Sequence, residues 1–284
     1  MNQVIALDVT DLRNWIGRSE TARDEVTPRL VGALNATLDN DGAIAEFGAL
    51  APVATHWCLA PPTVSASLIG PDGHPARGGF LPPVPLPRRM WAGGRLNFHD
   101  RLLVGDTVER RSRIANVTVK EGSTGILCFV TVEHEVFSPR GLAIEERQDI
   151  VYRDVQIQAE VVRASSPPLP TPQWRRDMLA DPVLLFRYSA MTFNGHRIHY
   201  DRNYATEVEA YPGLVVHGPL QATLLLEFAA TVKGQAPKHF NFRGVRPLFD
   251  GQPFALCARE KASGLHLWVQ TDEGIKTMDA EAAW

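Results

Sequence analysis

The sequence predicts an α+β protein built as two successive units, each a helix packed on an antiparallel sheet. Three observations carry this. β-rich runs occur on both sides of the middle of the chain. Each side also holds one convincing helical segment. Between them lies ASSPPLPTPQ, a Ser/Pro-rich stretch with Pro167, Pro168, Pro170 and Pro172 that suits a linker. A length of 284 residues exceeds one average domain and falls short of three. The boundary is expected near residue 160, giving units 1–160 and 161–284.

In order along the chain, PRLVGALNATL (28–38) has apolar residues at helical spacing after Thr27, a good N-cap, with proline at the first helical position. Nine of the 21 prolines then fall between Pro52 and Pro87, a density that forbids a long helix there. From about Arg95 the pattern turns to strands, with turns at Val104-Gly105-Asp106 and at 121–125; ILCFVTVEHEVF alternates as a long antiparallel strand does. Residues 148–158 add another strand. After the linker, VLLFRYSAMTF (183–193) reads as a strand, and a His-rich polar stretch follows. PLQATLLLEFAATVK (219–233) is an apolar helix ended by Gly234. Strands are expected again at 239–245 and across 254–270.

Composition excludes several classes of function. Lys and Arg number 29 against 32 Asp and Glu, a net charge of −3, so there is no general electrostatic reason to bind nucleic acid or an anionic membrane. No apolar run reaches the ~20 residues that span a bilayer, and the first twenty residues lack the pattern of a signal peptide. Three scattered cysteines, Cys58, Cys128 and Cys257, match neither a disulfide framework nor a metal site and point to a reducing, cytoplasmic setting.

The reactive side chains crowd into Phe193-Asn194-Gly195-His196-Arg197-Ile198-His199-Tyr200-Asp201. His196 and His199 lie three apart, but no HExxH or third ligand follows, so no metal is expected. There is no GxSxG nucleophile and no phosphate-binding glycine loop. Taken alone, the histidines read more readily as satisfied loop or cap residues. The longer stretch FNGHRIHYDRNYATEVEAYPGLVVHGPLQATLL, however, resembles the signature of the MaoC-like enoyl-CoA hydratases, and more closely their hydroxyacyl-thioester dehydratase type 2 branch. RRMWAGGRLNFHDRLLVGD (88–106) resembles the N-terminal half of the same branch.

The resemblance implies two tandem hot-dog halves, in each of which an antiparallel sheet wraps a helix. It implies a hydro-lyase that needs no cofactor, coenzyme A being part of the substrate. His199 stands at the family's catalytic histidine, while Asn194 occupies the position of its catalytic aspartate. Asn cannot take a proton, so the proton work falls on His199 and Asn194 holds the water. The backbone N–H of Gly218, at the start of the central helix, matches the family's oxyanion donor. Arg197, His217, Arg243, Arg246 and Trp91 are candidates for contact with substrate or CoA. The N-terminal half, without an Asn/His pair and with its prolines, is expected to be degenerate and non-catalytic.

For the substrate, the resemblance implies a branched dicarboxylyl thioester, and conjugation of the double bond with the thioester puts 3-methylfumaryl-CoA (mesaconyl-C4-CoA) first, giving citramalyl-CoA. Itaconyl-CoA comes next, and 3-hydroxyacyl thioesters of fatty-acid type are a further alternative. A hot-dog thioesterase and a non-catalytic acyl-binding module are the readings from other classes. Whether two chains associate as a homodimer is left open.

Overall fold

The computed structural model describes residues 9–40, 45–122, 125–154 and 169–284. The boundary near residue 160, the first part of the linker and the end of the 148–158 strand lie outside them. The first unit runs α1 (Val9–Arg13), β1 (Ser19–Glu25), α2 (Pro28–Leu38), β2 (Arg88–Phe98), β3 (Thr107–Gly122), β4 (Gly125–Ser138) and β5 (Gly141–Arg153). The second runs β6 (Trp174–Leu179), α3 (Pro182–Met191), α4 (Gly218–Lys233), β7 (His239–Gly244), β8 (Pro253–Lys261), β9 (Gly264–Thr271) and β10 (Lys276–Ala283).

All ten strands form one sheet in the order β1-β3-β4-β5-β2-β7-β10-β9-β8-β6. The order is a palindrome of function: β1, β3, β4, β5 and β2 occupy the places that β6, β8, β9, β10 and β7 occupy on the other side. The two halves meet where β2 and β7 pair antiparallel, Gly94 opposite Phe242 and Leu96 opposite Phe240. This is the double hot-dog arrangement. The pair Gly93-Gly94 explains itself at this seam. A Cβ on Gly93 would lie 2.5 Å from the Phe242 carbonyl oxygen, and one on Gly94 would lie 2.8 Å from that of Arg147, so only glycine lets three strands converge.

The halves differ in one respect that shapes everything else. α4 is apolar on nearly every side and buries Leu220, Leu224, Leu225, Leu226 and Phe228 in a core shared with Val31, Leu34 and Leu96 of the first half. The first half has no counterpart of α4; between α2 and β2 its described residues make only two short 3-10 turns, Thr55–Cys58 and Ala66–Leu68. The proline-rich stretch thus has the effect expected of it. β8 is apolar from Pro253 to Ala258 and is buried on both faces from Phe254 to Ala258. Phe254 and Leu256 enter the main core, while Ala255 and Cys257 pack with Trp268 beneath Leu169.

One expectation is corrected. Residues 183–193 are not a strand: α3 spans Pro182–Met191. The Asp181 carboxylate accepts from the Leu184 N–H at 2.9 Å, and Pro182 sits at the first helical position. Its buried residues, Leu185, Tyr188 and Ser189, follow helical spacing, and Phe186 is left 62% exposed. The Asp-Pro start was the signal that the apolar run concealed. Strands β1, β6 and β10 were also not read from the sequence.

Candidate active site

α3 ends on a strained residue. Phe193 takes a φ of +50°, a left-handed conformation that a bulky side chain adopts at a cost of about 1–2 kcal/mol. The chain then reverses, and the Asn194 N–H bonds back to the Ser189 carbonyl at 2.8 Å. This sharp exit aims Asn194 into a cavity of about 1770 Å³. The Asn194 side-chain oxygen accepts from the His196 N–H at 3.0 Å. A backbone N–H only donates, so the amide oxygen is engaged and the NH2 end is free to hold a ligand.

His199 closes a 3-10 turn, Arg197–His199, and is almost fully buried at the cavity wall. Its Nδ1 lies 2.7 Å from the Val215 carbonyl oxygen. A carbonyl only accepts, so Nδ1 carries the proton and Nε2 keeps its lone pair. Burial lowers its pKa to about 4, against the opposing hydrogen bond to Val215 and with help from His74. At neutral pH the ring is an uncharged, oriented base.

Behind it stands His217, whose ring stacks on His199 with centroids 3.7 Å apart. His217 Nε2 meets the Ser189 hydroxyl at 2.8 Å, and burial holds its pKa well below the ordinary value. His217 caps α4, so Gly218 opens the helix and Pro219 follows. Helix geometry leaves the first N–H groups unpaired and adds a partial positive charge. At the Gly218 Cα the nearest atom to an added Cβ is the Trp91 carbonyl oxygen, 3.7 Å away, so a substrate oxygen has room to approach. Asn194, His199, Gly218, Trp91 and Arg246 all line the cavity; Trp91 does so edge-on to Trp57 and Phe242.

Three other candidates are placed elsewhere. Arg197 is bound to Asp201 through Nε and Nη2 at 3.0 and 2.8 Å and lies over the Tyr204 ring. Its Nη1 donates to the Pro71 carbonyl, so it fastens the two halves together and does not line the cavity. His217 is likewise behind the wall, a support for His199 and not a substrate contact. Arg243 is exposed on β7, outside the cavity.

The site also contains groups that sequence reasoning missed. The segment at 70–77 docks backbone to backbone on the signature loop. The Arg197 N–H donates to the Asp72 carbonyl at 2.9 Å. A Cβ on Gly73, whose φ is +89°, would fall 1.8 Å from the Gly195 carbonyl oxygen. The docking brings His74 onto His196, ring centroids 4.0 Å apart, and His196 is 5.3 Å from His199. The Asp72 carboxylate accepts from His74 Nδ1 at 3.1 Å and from the His74 N–H at 3.0 Å. Burial works to raise that carboxyl, yet these bonds leave it well below the usual range. Burial lowers His74 and His196. One atom each from Asp72, His74 and His196 lie within 4.8 Å of one another, donor types that suit a metal, though here both carboxylate oxygens already face His74. The first half therefore contributes to the wall beside His199. Only the Asp-Gly-His run inside the proline-rich stretch hinted at it.

On the side of the first half the cavity has a polar floor of His56, His134, Glu146 and Gln148. Glu146 accepts from Trp57 Nε1 at 2.8 Å and Gln148 Nε2 at 2.9 Å, and burial pushes its carboxyl up to about 7. His56 and His134 beside it are lowered by burial to about 3 and about 4. All three cysteines are free and buried. No helix among the described residues is long and apolar enough to cross a membrane.

Comparison with known proteins agrees with this fold. The family model for hydroxyacyl-thioester dehydratase type 2 matches residues 54–250. The mesaconyl-C(4)-CoA hydratase of Chloroflexus aurantiacus is 42% identical over 278 residues, 95% of this chain and 96% of that protein. A MaoC-like dehydratase from Phytophthora capsici superposes with a TM-score of 0.72 at 13% identity, covering 98% of both chains. A Mycobacterium tuberculosis protein described as a double hotdog fold gives 0.60 at 13% identity, over 94% of this chain and 95% of that one. The match in sequence runs through the cavity wall, the signature loop and the helix start alike, and the chain belongs to the hydroxyacyl-thioester dehydratase type 2 family.

Proposed function

We propose that the protein is a hydro-lyase that adds water reversibly across the double bond of an enoyl-CoA thioester, with 3-methylfumaryl-CoA as its substrate and citramalyl-CoA as the product. The observation that carries the reading is His199: neutral, fixed in one tautomer, its bare Nε2 on the cavity wall between a water-holding amide and a helix start. The 42%-identical relative named for the C4 thioester of mesaconate supports the choice of substrate.

The chemistry follows from the groups present. Asn194 donates an N–H to a water oxygen, and His199 Nε2 takes one of its protons as the oxygen bonds to the β-carbon. The π electrons move toward the thioester carbonyl, whose oxygen gains charge against the Gly218 N–H. A donor in that position contributes about 3 kcal/mol to such a transition state. The imidazolium so formed is a strong acid, because burial disfavours its charge. It returns the proton to the α-carbon as the enolate collapses, so the hydroxyl and the proton of water both add from the side His199 occupies. Arg246, which lines the cavity, is the candidate partner for a CoA phosphate.

The mechanism favours 3-methylfumaryl-CoA over itaconyl-CoA. In the former the double bond is conjugated with the thioester, which receives the charge directly; in the latter it lies one carbon farther and must first migrate. The test offers 3-methylfumaryl-CoA, itaconyl-CoA and crotonyl-CoA side by side, following enoyl-thioester absorbance and free thiol together. Absorbance should fall fastest with the first, with no thiol released. Stoichiometric thiol would establish a thioesterase instead, and tight binding without either change would mark an acyl-binding module.

A further inference from the structure

We propose that Gln221 sets the substrate preference of this site: its amide N–H groups receive the free carboxylate of the acyl group, one helical turn from the donor that receives the thioester oxygen. The inference deepens the reading above and rests on it for the place of the thioester at Gly218. In 3-methylfumaryl-CoA the free carboxylate and the thioester sit at the two ends of one double bond. Receptors for the two groups must therefore be close neighbours on one rigid element.

The first turn of α4 has that form. The residues of α4 that border the cavity are Gly218, Pro219 and Gln221, so Gln221 brings the polar side chain this helix offers there; it is 3% exposed. Three positions apart, Gly218 and Gln221 share one helix face, where such neighbours stand about 5–6 Å apart, the scale of a double bond with a carboxyl group at each end. Helical side chains lean toward the N-terminus, which carries Gln221 back toward Gly218. The peptide between His217 and Gly218 is oriented to match. The His217 carbonyl accepts from the Gln221 N–H at 3.1 Å and so points down the helix. In a planar trans peptide the Gly218 N–H then points the opposite way, out of the helix start.

Hydrogen bonding decides which end of the Gln221 amide is offered. Thr277 donates through Oγ1 to Gln221 Oε1 at 2.8 Å. The other acceptor beside that hydroxyl, the Val269 carbonyl, is 3.5 Å away, at the limit of a bond. The hydroxyl proton therefore goes to Gln221 and holds the amide oxygen against β10. Among the described residues no group accepts from Gln221 Nε2, and an amide NH2 only donates. Two buried N–H donors beside the partial positive charge of a helix start suit an anion, which only accepts. An apolar acyl end would leave them unpaired, and that cost sets the preference.

The test measures both binding and turnover with the full chain. In binding, wild type should hold succinyl-CoA more tightly than butyryl-CoA, the two differing at the acyl terminus by carboxylate against methyl. Gln221→Glu keeps an oxygen for Thr277 and removes the N–H donors; Gln221→Met removes both in a side chain of similar length. Each should erase the difference. In turnover, the ratio of kcat/KM for 3-methylfumaryl-CoA to that for crotonyl-CoA should fall about 100-fold in Gln221→Met, the scale of discrimination a site loses with its polar contact. Equal binding of the two saturated esters by wild type overturns the inference whatever the activity. An unchanged kcat/KM ratio in Gln221→Met, with both esters slowed alike, shows a packing role and overturns it too. A wild type that prefers succinyl-CoA through Gln221 yet hydrates neither enoyl ester supports the carboxylate contact and overturns the hydratase reading alone.

Discussion

In the proposed reaction His199 acts as an uncharged base. Its two partners decide this: the Val215 carbonyl fixes the proton on Nδ1, and the stacked His217 ring leaves no room for it to turn. Replacing His199 with alanine should lower kcat by about 10²–10⁴-fold, the usual weight of a positioned base, with the fold intact by circular dichroism; near-normal turnover would end the assignment. Because burial lowers His199 to about 4, kcat/KM should stay level through neutral pH and decline only as the pH approaches that value. A decline centred near the ordinary histidine pKa of 6.5 would mean the base is exposed. At this scale the sequence was most informative where the site is local: Asn194, His199 and Gly218 fall within twenty-five residues. It was least informative where contacts are distant. Nothing in the sequence joins His74 to His196, and Arg197 reads as a candidate substrate contact although Asp201 stands four residues on, an ion pair that spacing alone allows.

Among elements, the segment at 70–77 and the signature loop act as one body. Gly73 is the point of closest approach, and no side chain fits there. Gly73→Val should push the segment off the loop and loosen His74 and His196. The expected result is a fall of at least about tenfold in kcat/KM, since small misplacements of catalytic groups are costly in rate, together with a lower melting temperature. Unchanged kinetics would show that the segment only covers the site. α3 teaches the limit of pattern reading: an apolar run of ten residues fits strand or helix equally, and the arbiter was the Asp181-Pro182 cap. The helix predicted at 219–233, by contrast, had a turn glycine, a proline and a closing Gly234 to bracket it, and is seen at Gly218–Lys233.

For the whole molecule, the interior is rich in neutral imidazole. His56, His74, His134, His196, His199 and His217, six of the nine histidines, all have folded pKa values below the ordinary one. Below pH 6.5 the unfolded chain takes up protons that the folded chain refuses, so stability is present above that pH and is lost as the pH falls toward 4. Each such group contributes a slope of up to ~1.4 kcal/mol per pH unit. The raised carboxyls of Glu20, Glu146 and Glu227 act in the opposite sense, but they are three against six. The melting temperature should therefore drop markedly between pH 7.5 and pH 5, and thermal scans that agree at the two values would refute it. The double fold was legible because its halves repeat a helix and a run of strands. The missing central helix was legible from the prolines. The polar floor was not, because Glu146 and His134 sit in strands whose alternation reads as ordinary surface.

The palindromic sheet has a consequence for how such a site can change. In a symmetric pair of identical subunits every substitution is made twice. Deleting the central helix there would enlarge both grooves and, in the same stroke, remove both copies of the helix start that carries Gly218. With the two halves on one chain, one copy can lose its helix to become room while the other keeps its helix to become chemistry. Covalent fusion here breaks a symmetry, and the broken symmetry makes a single capacious site out of what would otherwise be two narrow ones.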